Sequence, residues 1–124
     1  MNDAEQYIDA FDGRGRDILV FLHELLTEEY QLTPRMRYRI PFYDRNSWIC
    51  YLNPLKDGTI EWAFTRGSEL SNAQGVLESR GRKQVMSLIV DHIGELPLEA
   101  VRELMQEALL LDATVPYAVG KKRS

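Results

Sequence analysis

Apolar residues recur at helical intervals along the first third of the chain. Ala4, Tyr7, Ile8 and Phe11 share one face of a first helix, and Asp12-Gly13-Arg14-Gly15 then breaks the run. Two glycines so close together cost ~1 kcal/mol each inside a helix, so a turn is predicted there. The stripe resumes with Ile18, Leu19, Leu22, Leu25 and Leu26, and Asp17, Glu24 and Glu28 lie on the opposite side. This second helix is predicted to end near Tyr30, because the residue before Pro34 is pushed out of helical conformation.

The middle of the chain changes period. Met36, Tyr38, Ile40 and Phe42 alternate with Arg35, Arg37 and Arg39, which predicts one half-buried strand with the three arginines on one face. Pro41 lacks an amide donor and marks an edge or the strand's end. Asp44-Arg45-Asn46 reads as a turn, Trp48 to Leu52 as a second strand and Thr59 to Thr65 as a third. Asp57-Gly58 between them is a strong hairpin signal. Gln84 to Val90 is a fourth strand after a looped stretch from Ser68 to Lys83 with at most a short helical turn. Pro97 suits a helix's first turn, and Val101, Leu104, Met105, Ala108 and Leu111 give that last helix its apolar stripe. The expected fold is α+β: N-terminal helices, a four-stranded antiparallel meander, and a C-terminal helix packed on the sheet.

A chain of 124 residues is the size of one domain, placed at residues 2–117, with 118–124 as a short basic tail. Fifteen Lys and Arg against nineteen Asp and Glu leave a net charge of −4, which argues against a dedicated nucleic-acid binder. Cys50 is the single cysteine, so no intramolecular disulfide forms and a reducing compartment is the simplest reading. Asp3, Glu5 and Asp9 near the start are the opposite of a basic signal-peptide opening, and no apolar run approaches membrane-spanning length. The expectation is a cytoplasmic protein with no nucleic-acid or membrane partner.

Motifs for chemistry are sparse. His23 and His92 have no second His or Cys at metal-ligand spacing, and there is no His-Glu-x-x-His pattern. Arg66-Gly67-Ser68-Glu69-Leu70 is not a nucleophile elbow, and Cys50, between Ile49 and Tyr51, reads as strand core. Gly13-Arg14-Gly15 lacks the rest of a phosphate-binding fingerprint. Arg80, Arg82 and Lys83 around Gly81 form a basic turn that becomes an anion site if Arg66 lies beside it. The row Arg35, Arg37, Arg39 suits a carboxylate, a phosphate or an acidic partner; the simpler reading is an edge strand blunted by charge. Tyr38, Phe42, Trp48, Tyr51, Trp62 and Phe64 all fall on the sheet. Such aromatics pack a core or line a pocket on the face the helices leave open.

The order of several short segments carries a resemblance. Glu5-Gln6-Tyr7-Ile8 opens the chain, and Met36-Arg37-Tyr38-Arg39-Ile40-Pro41-Phe42 has a "Tyr-x-x-Pro-Phe" type signature. Gly58 to Phe64 follows a glycine turn; Phe64-Thr65-Arg66-Gly67-Ser68-Glu69-Leu70 leads to Gly75-Val76-Leu77-Glu78 and Gly81-Arg82-Lys83-Gln84-Val85. Together, from about Glu5 to Leu111, these segments resemble the YdhG-like domain family, number 1801 in the series of domains of unknown function. The glycine-rich Gly13–Gly15 linker and the more basic turn at Gly81 depart from its pattern. The resemblance implies a small bacterial cytosolic domain with a frataxin-like twisted sheet flanked by helices. Frataxins hold iron loosely on carboxylates; the family has no strict carboxylate motif, and Asp9, Asp12, Asp17, Glu24 and Glu28 are the positions that could play the part.

The functional expectation is a non-enzymatic module for an unknown small ligand or protein partner, as monomer or homodimer. Arg35, Arg37, Arg39 and Trp62 are its ligand-binding candidates, and no cofactor is expected. The alternative is a low-affinity, frataxin-like iron-binding protein or iron chaperone, with weakly bound iron on Asp17, Glu24 and Glu28.

Overall fold

The computed structural model describes residues 2–117, so the expected basic tail, 118–124, lies outside the described residues. Helix α1 spans Asp3–Ala10 and opens on a capping box, in which Glu5 N donates to Asn2 Oδ1 (2.8 Å) and Asn2 N to Glu5 Oε1 (3.1 Å). Helix α2, Arg16–Glu24, buries Ile18, Leu19 and Leu22 and continues into a wider π turn, Leu25–Glu29, that ends at Tyr30 as the sequence predicts. Helix α3, Leu98–Thr114, starts directly after Pro97 and turns Val101, Leu104, Met105 and Ala108 inward.

Among the described residues five strands, not four, form the sheet: β1 Thr33–Arg37, β2 Ile40–Asp44, β3 Trp48–Pro54, β4 Ile60–Phe64 and β5 Met86–Val90. They pair antiparallel in sequence order, β1-β2-β3-β4-β5. The extra strand arises where one continuous run was expected. Arg37 pairs with Ile40, so Tyr38 and Arg39 are the two loop residues of a tight hairpin. Both have positive φ, +54° and +67°, as a type I′ turn requires. That turn usually recruits Asn or Gly; here a tyrosine and an arginine occupy it.

The hairpin changes which residues share a face. Residues opposite each other in a ladder project to the same side, so pairing Arg35 with Phe42 and Arg37 with Ile40 folds two arginines onto the face of Ile40 and Phe42. A second irregularity acts alongside. The β2–β3 register shifts between Tyr43 and Asp44, so that Asp44 stands opposite Trp48. Simple alternation would place Trp48 with Cys50 and Leu52, on the core side; the bulge re-aims it to the other face.

One sheet face is the core side. Tyr43, Cys50, Leu52, Ile60, Trp62, Phe64, Leu88 and Val90 form a single buried cluster there with Leu19, Leu22, Leu26, Leu104 and Met105 of the helices. Each leucine fully removed from water contributes on the order of 1.5–3 kcal/mol. Gly15 lets α2 begin against the sheet: a Cβ there would meet Ile60 Cδ1 at 2.8 Å. The other face carries Phe42, Tyr51, Glu61, Ala63 and Ser87; among the described residues the three α-helices join the core cluster on the opposite side, and the stretch between β4 and β5 reaches this face through Arg80 and Arg82. No helix among the described residues is long and apolar enough to cross a membrane.

Candidate functional site

The helix-free face holds an aromatic cleft. Phe42 is its centre: its ring stacks on Tyr51 (centroids 4.7 Å apart), meets Trp48 edge-on (5.3 Å) and lies 5.9 Å from Tyr38. Ile40, Asn53, Thr65, Val85 and Tyr117 complete the walls around a volume of about 370 Å³. That volume is within the usual range for a small-molecule pocket, roughly 300–1,000 Å³. Tyr38 stands at the mouth and is 79% exposed.

Ionic pairs built from buried or half-buried side chains frame the cleft. Arg37 donates two hydrogen bonds to Asp44 (2.8 and 2.7 Å), and its guanidinium carbon sits 4.3 Å from the Trp48 ring and 5.4 Å from that of Phe42. The bidentate pair fixes the arginine, and the arginine covers one side of the aromatic cluster. Arg35 reaches the same carboxylate through Nε only, at 3.5 Å, and its side chain is 62% exposed.

Behind Thr65 and Tyr117 of the wall, buried Arg66 donates to Glu69 (3.0 and 2.8 Å) and to the carbonyl of Val115 (2.7 Å), and lies 5.0 Å from the Tyr117 ring. Through Val115 and Tyr117 it holds the end of the described chain against the cleft. Its guanidinium in turn keeps the Glu69 carboxyl below the usual range.

The floor is polar. Buried Glu61 accepts from Arg82 Nη2 (2.6 Å) and Asn53 Nδ2 (3.1 Å). Burial opposes its charge, but the hydrogen bonds from Ser87, Arg82 and Asn53 outweigh this and hold the carboxyl below its ordinary pKa. Ser87 Oγ accepts from Arg80 Nε (2.7 Å) and Arg82 Nη2 (3.1 Å). Comparison with family models, curated proteins and solved structures finds no match. What the site does therefore rests on its own geometry.

Of the ligand-binding candidates, Arg37 and Arg35 border the cleft and Arg39 sits in the turn beside Tyr38, so the three do not form one row. Trp62 is wholly buried on the core side, 0% exposed, opposite Leu52 and Leu88. The indole of the cleft is Trp48. Asn53, Thr65, Val85 and Tyr117 were not singled out from the sequence, because nothing local marks a polar or small residue as part of a wall built from distant segments.

The carboxylates proposed for iron do not share one site. Asp17 is exposed on α2, while Glu24 and Glu28 line a groove with Glu5, Asp9 and His23 between α1 and α2. Among the described residues, no group of three or more His, Cys, Asp or Glu side chains is placed to hold a metal ion. His23 is buried, with Nδ1 2.8 Å from the Tyr43 hydroxyl and Nε2 3.8 Å from Glu5. Desolvation lowers its pKa, against the pull of Glu5, Glu24 and Glu28. Cys50 is fully buried and its thiol is pushed up to about 12 by desolvation, with the neighbouring Trp62 side chain pulling the other way.

Proposed function

We propose that this protein is a non-enzymatic module that binds a small, largely apolar ligand in the cleft on the helix-free sheet face. The observation that carries the reading is the clustering of Tyr38, Phe42, Trp48 and Tyr51 around an open volume of about 370 Å³. Tyr38, Trp48 and Tyr51, grouped around buried Phe42 outside the main core cluster, offer a stacking surface that core packing does not need. The YdhG-like, frataxin-like family reading belongs to the same proposal; an antiparallel meander flanked by helices supports it.

The test is a fragment screen of the whole chain by ¹H–¹⁵N correlation spectra. Aromatic fragments are expected to shift the amides of Tyr38, Tyr51, Asn53, Thr65 and Val85 as a group and to quench Trp48 emission. Replacing Tyr38 by Ala is expected to weaken such binding by roughly three- to tenfold, the worth of one aromatic contact. Shifts scattered over the helices, or no shifts at millimolar fragment, would sink the reading.

A further inference from the structure

One corner of the cleft specifies the ligand further, on the basis of the cleft reading above. The Tyr51 hydroxyl lies in the cleft wall and meets Arg82 Nη1 at 3.5 Å, the long limit of a hydrogen bond. The rest of that guanidinium is firmly held: Nη2 donates to Glu61 (2.6 Å) and to Ser87 Oγ (3.1 Å), and Nε to the carbonyl of Ser79 (3.2 Å). Arg82 does not itself line the cleft, but it is held from behind, and Nη1, its least satisfied nitrogen, is the one beside the hydroxyl of Tyr51 in the wall. Burial raises the Tyr51 pKa, with Arg82 lowering it and Glu61 raising it, so the phenol keeps its proton at neutral pH and can donate.

Two donors therefore meet at one corner beside a stack of rings. Two convergent donors match the two oxygens of a carboxylate, whereas a phosphate presents three terminal oxygens. The charge of the face agrees. Arg35, Arg37, Arg80 and Arg82 stand against Asp44, Glu61 and Glu78, four cations to three anions, so the face is locally +1 in a chain of net −4.

We propose that the cleft takes a small planar aromatic carboxylate, its ring against Tyr38, Phe42 and Tyr51 and its carboxylate on Arg82 Nη1 and the Tyr51 O–H. The experiment compares 2-naphthoate with its neutral isostere 2-naphthamide by calorimetry and amide shifts on the full chain. The acid is expected to bind roughly tenfold or more tightly, the scale of one charge-assisted hydrogen bond. Tyr51→Phe and Arg82→Met are each expected to reduce that preference to about twofold or less, while Tyr38→Ala weakens acid and amide alike. Tyr51→Phe removes a single oxygen and still tests the carboxylate contact should Arg82→Met unfold by stranding Glu61.

Equal binding of acid and amide at the cleft, or a preference that survives both substitutions, overturns the carboxylate assignment and leaves the cleft reading standing. Failure of both probes to shift the cleft amides overturns both.

Discussion

Tyr38 and Arg39 hold positive φ without being glycine or asparagine, which costs each residue on the order of 1 kcal/mol or more. Relieving that strain is expected to stabilise the fold. Arg39→Gly should raise the free energy of unfolding by about 1 kcal/mol in urea titrations, with ligand binding little changed because Arg39 lies outside the cleft walls. Tyr38 tolerates the same strain where its ring forms the cleft mouth. His23 gives a pH dependence of definite sign. Its folded pKa lies below the ordinary value, so the unfolded chain binds a proton near pH 6.5 that the folded protein resists. The stability contributed by neutral His23 is complete above about pH 6.5 and declines as pH falls from there towards the folded pKa. Thermal melts of wild type and His23→Gln between pH 7.5 and 5.5 are expected to differ in slope, the substituted protein being flatter. Cys50 should resist iodoacetamide in the folded state at pH 8 and react fully once the chain is unfolded in urea.

At the level of elements, the helices and the later hairpins were legible in the sequence because their signals are local. Ile18, Leu19 and Leu22 mark the buried stripe of α2, and Asp57-Gly58 sits in the β3–β4 turn. The β1–β2 hairpin was not legible. Tyr-Arg carries no turn chemistry, and the alternation runs on across the turn while the ladder exchanges which parity faces which side. The β2–β3 bulge was equally silent, and with it the side on which Trp48 points. The candidate site depends on these two irregularities. This is why the sequence named its arginines and aromatics but set them on opposite faces.

The tie between α3 and the β2–β3 turn is a further long-range feature. Buried Asp112 accepts hydrogen bonds from Asn46 N (2.8 Å) and Ser47 Oγ. Asp112→Ala removes the acceptor of both and is expected to cost about 1–2 kcal/mol, read from the urea midpoint, since exposed Asn46 can turn to water. Gly67→Ala should be harsher, because its Cβ would come 2.6 Å from Met86 N, a backbone atom that cannot swing away.

For the whole molecule, charge is sorted by face. The acidic groove of Glu5, Asp9, Glu24 and Glu28 lies between the first two helices, and the arginines gather on and beside the helix-free sheet face. The sheet's two margins are also unlike. Glu78 exchanges both backbone hydrogen bonds with Ser87 and so occupies part of the outer side of β5. The outer margin of β1 carries Thr33-Pro34-Arg35-Met36-Arg37 and pairs with no further strand among the described residues. β1 is therefore the more open margin for growth of the sheet by recruitment of another chain. An incoming strand meets a proline that offers no amide and the exposed guanidinium of Arg35, which repels its own copy. The same short segment that shapes the cleft therefore guards the protein against fibrillar assembly. Pro34→Thr with Arg35→Thr is expected to leave the fold intact yet shorten the lag before thioflavin-positive aggregates form at high concentration.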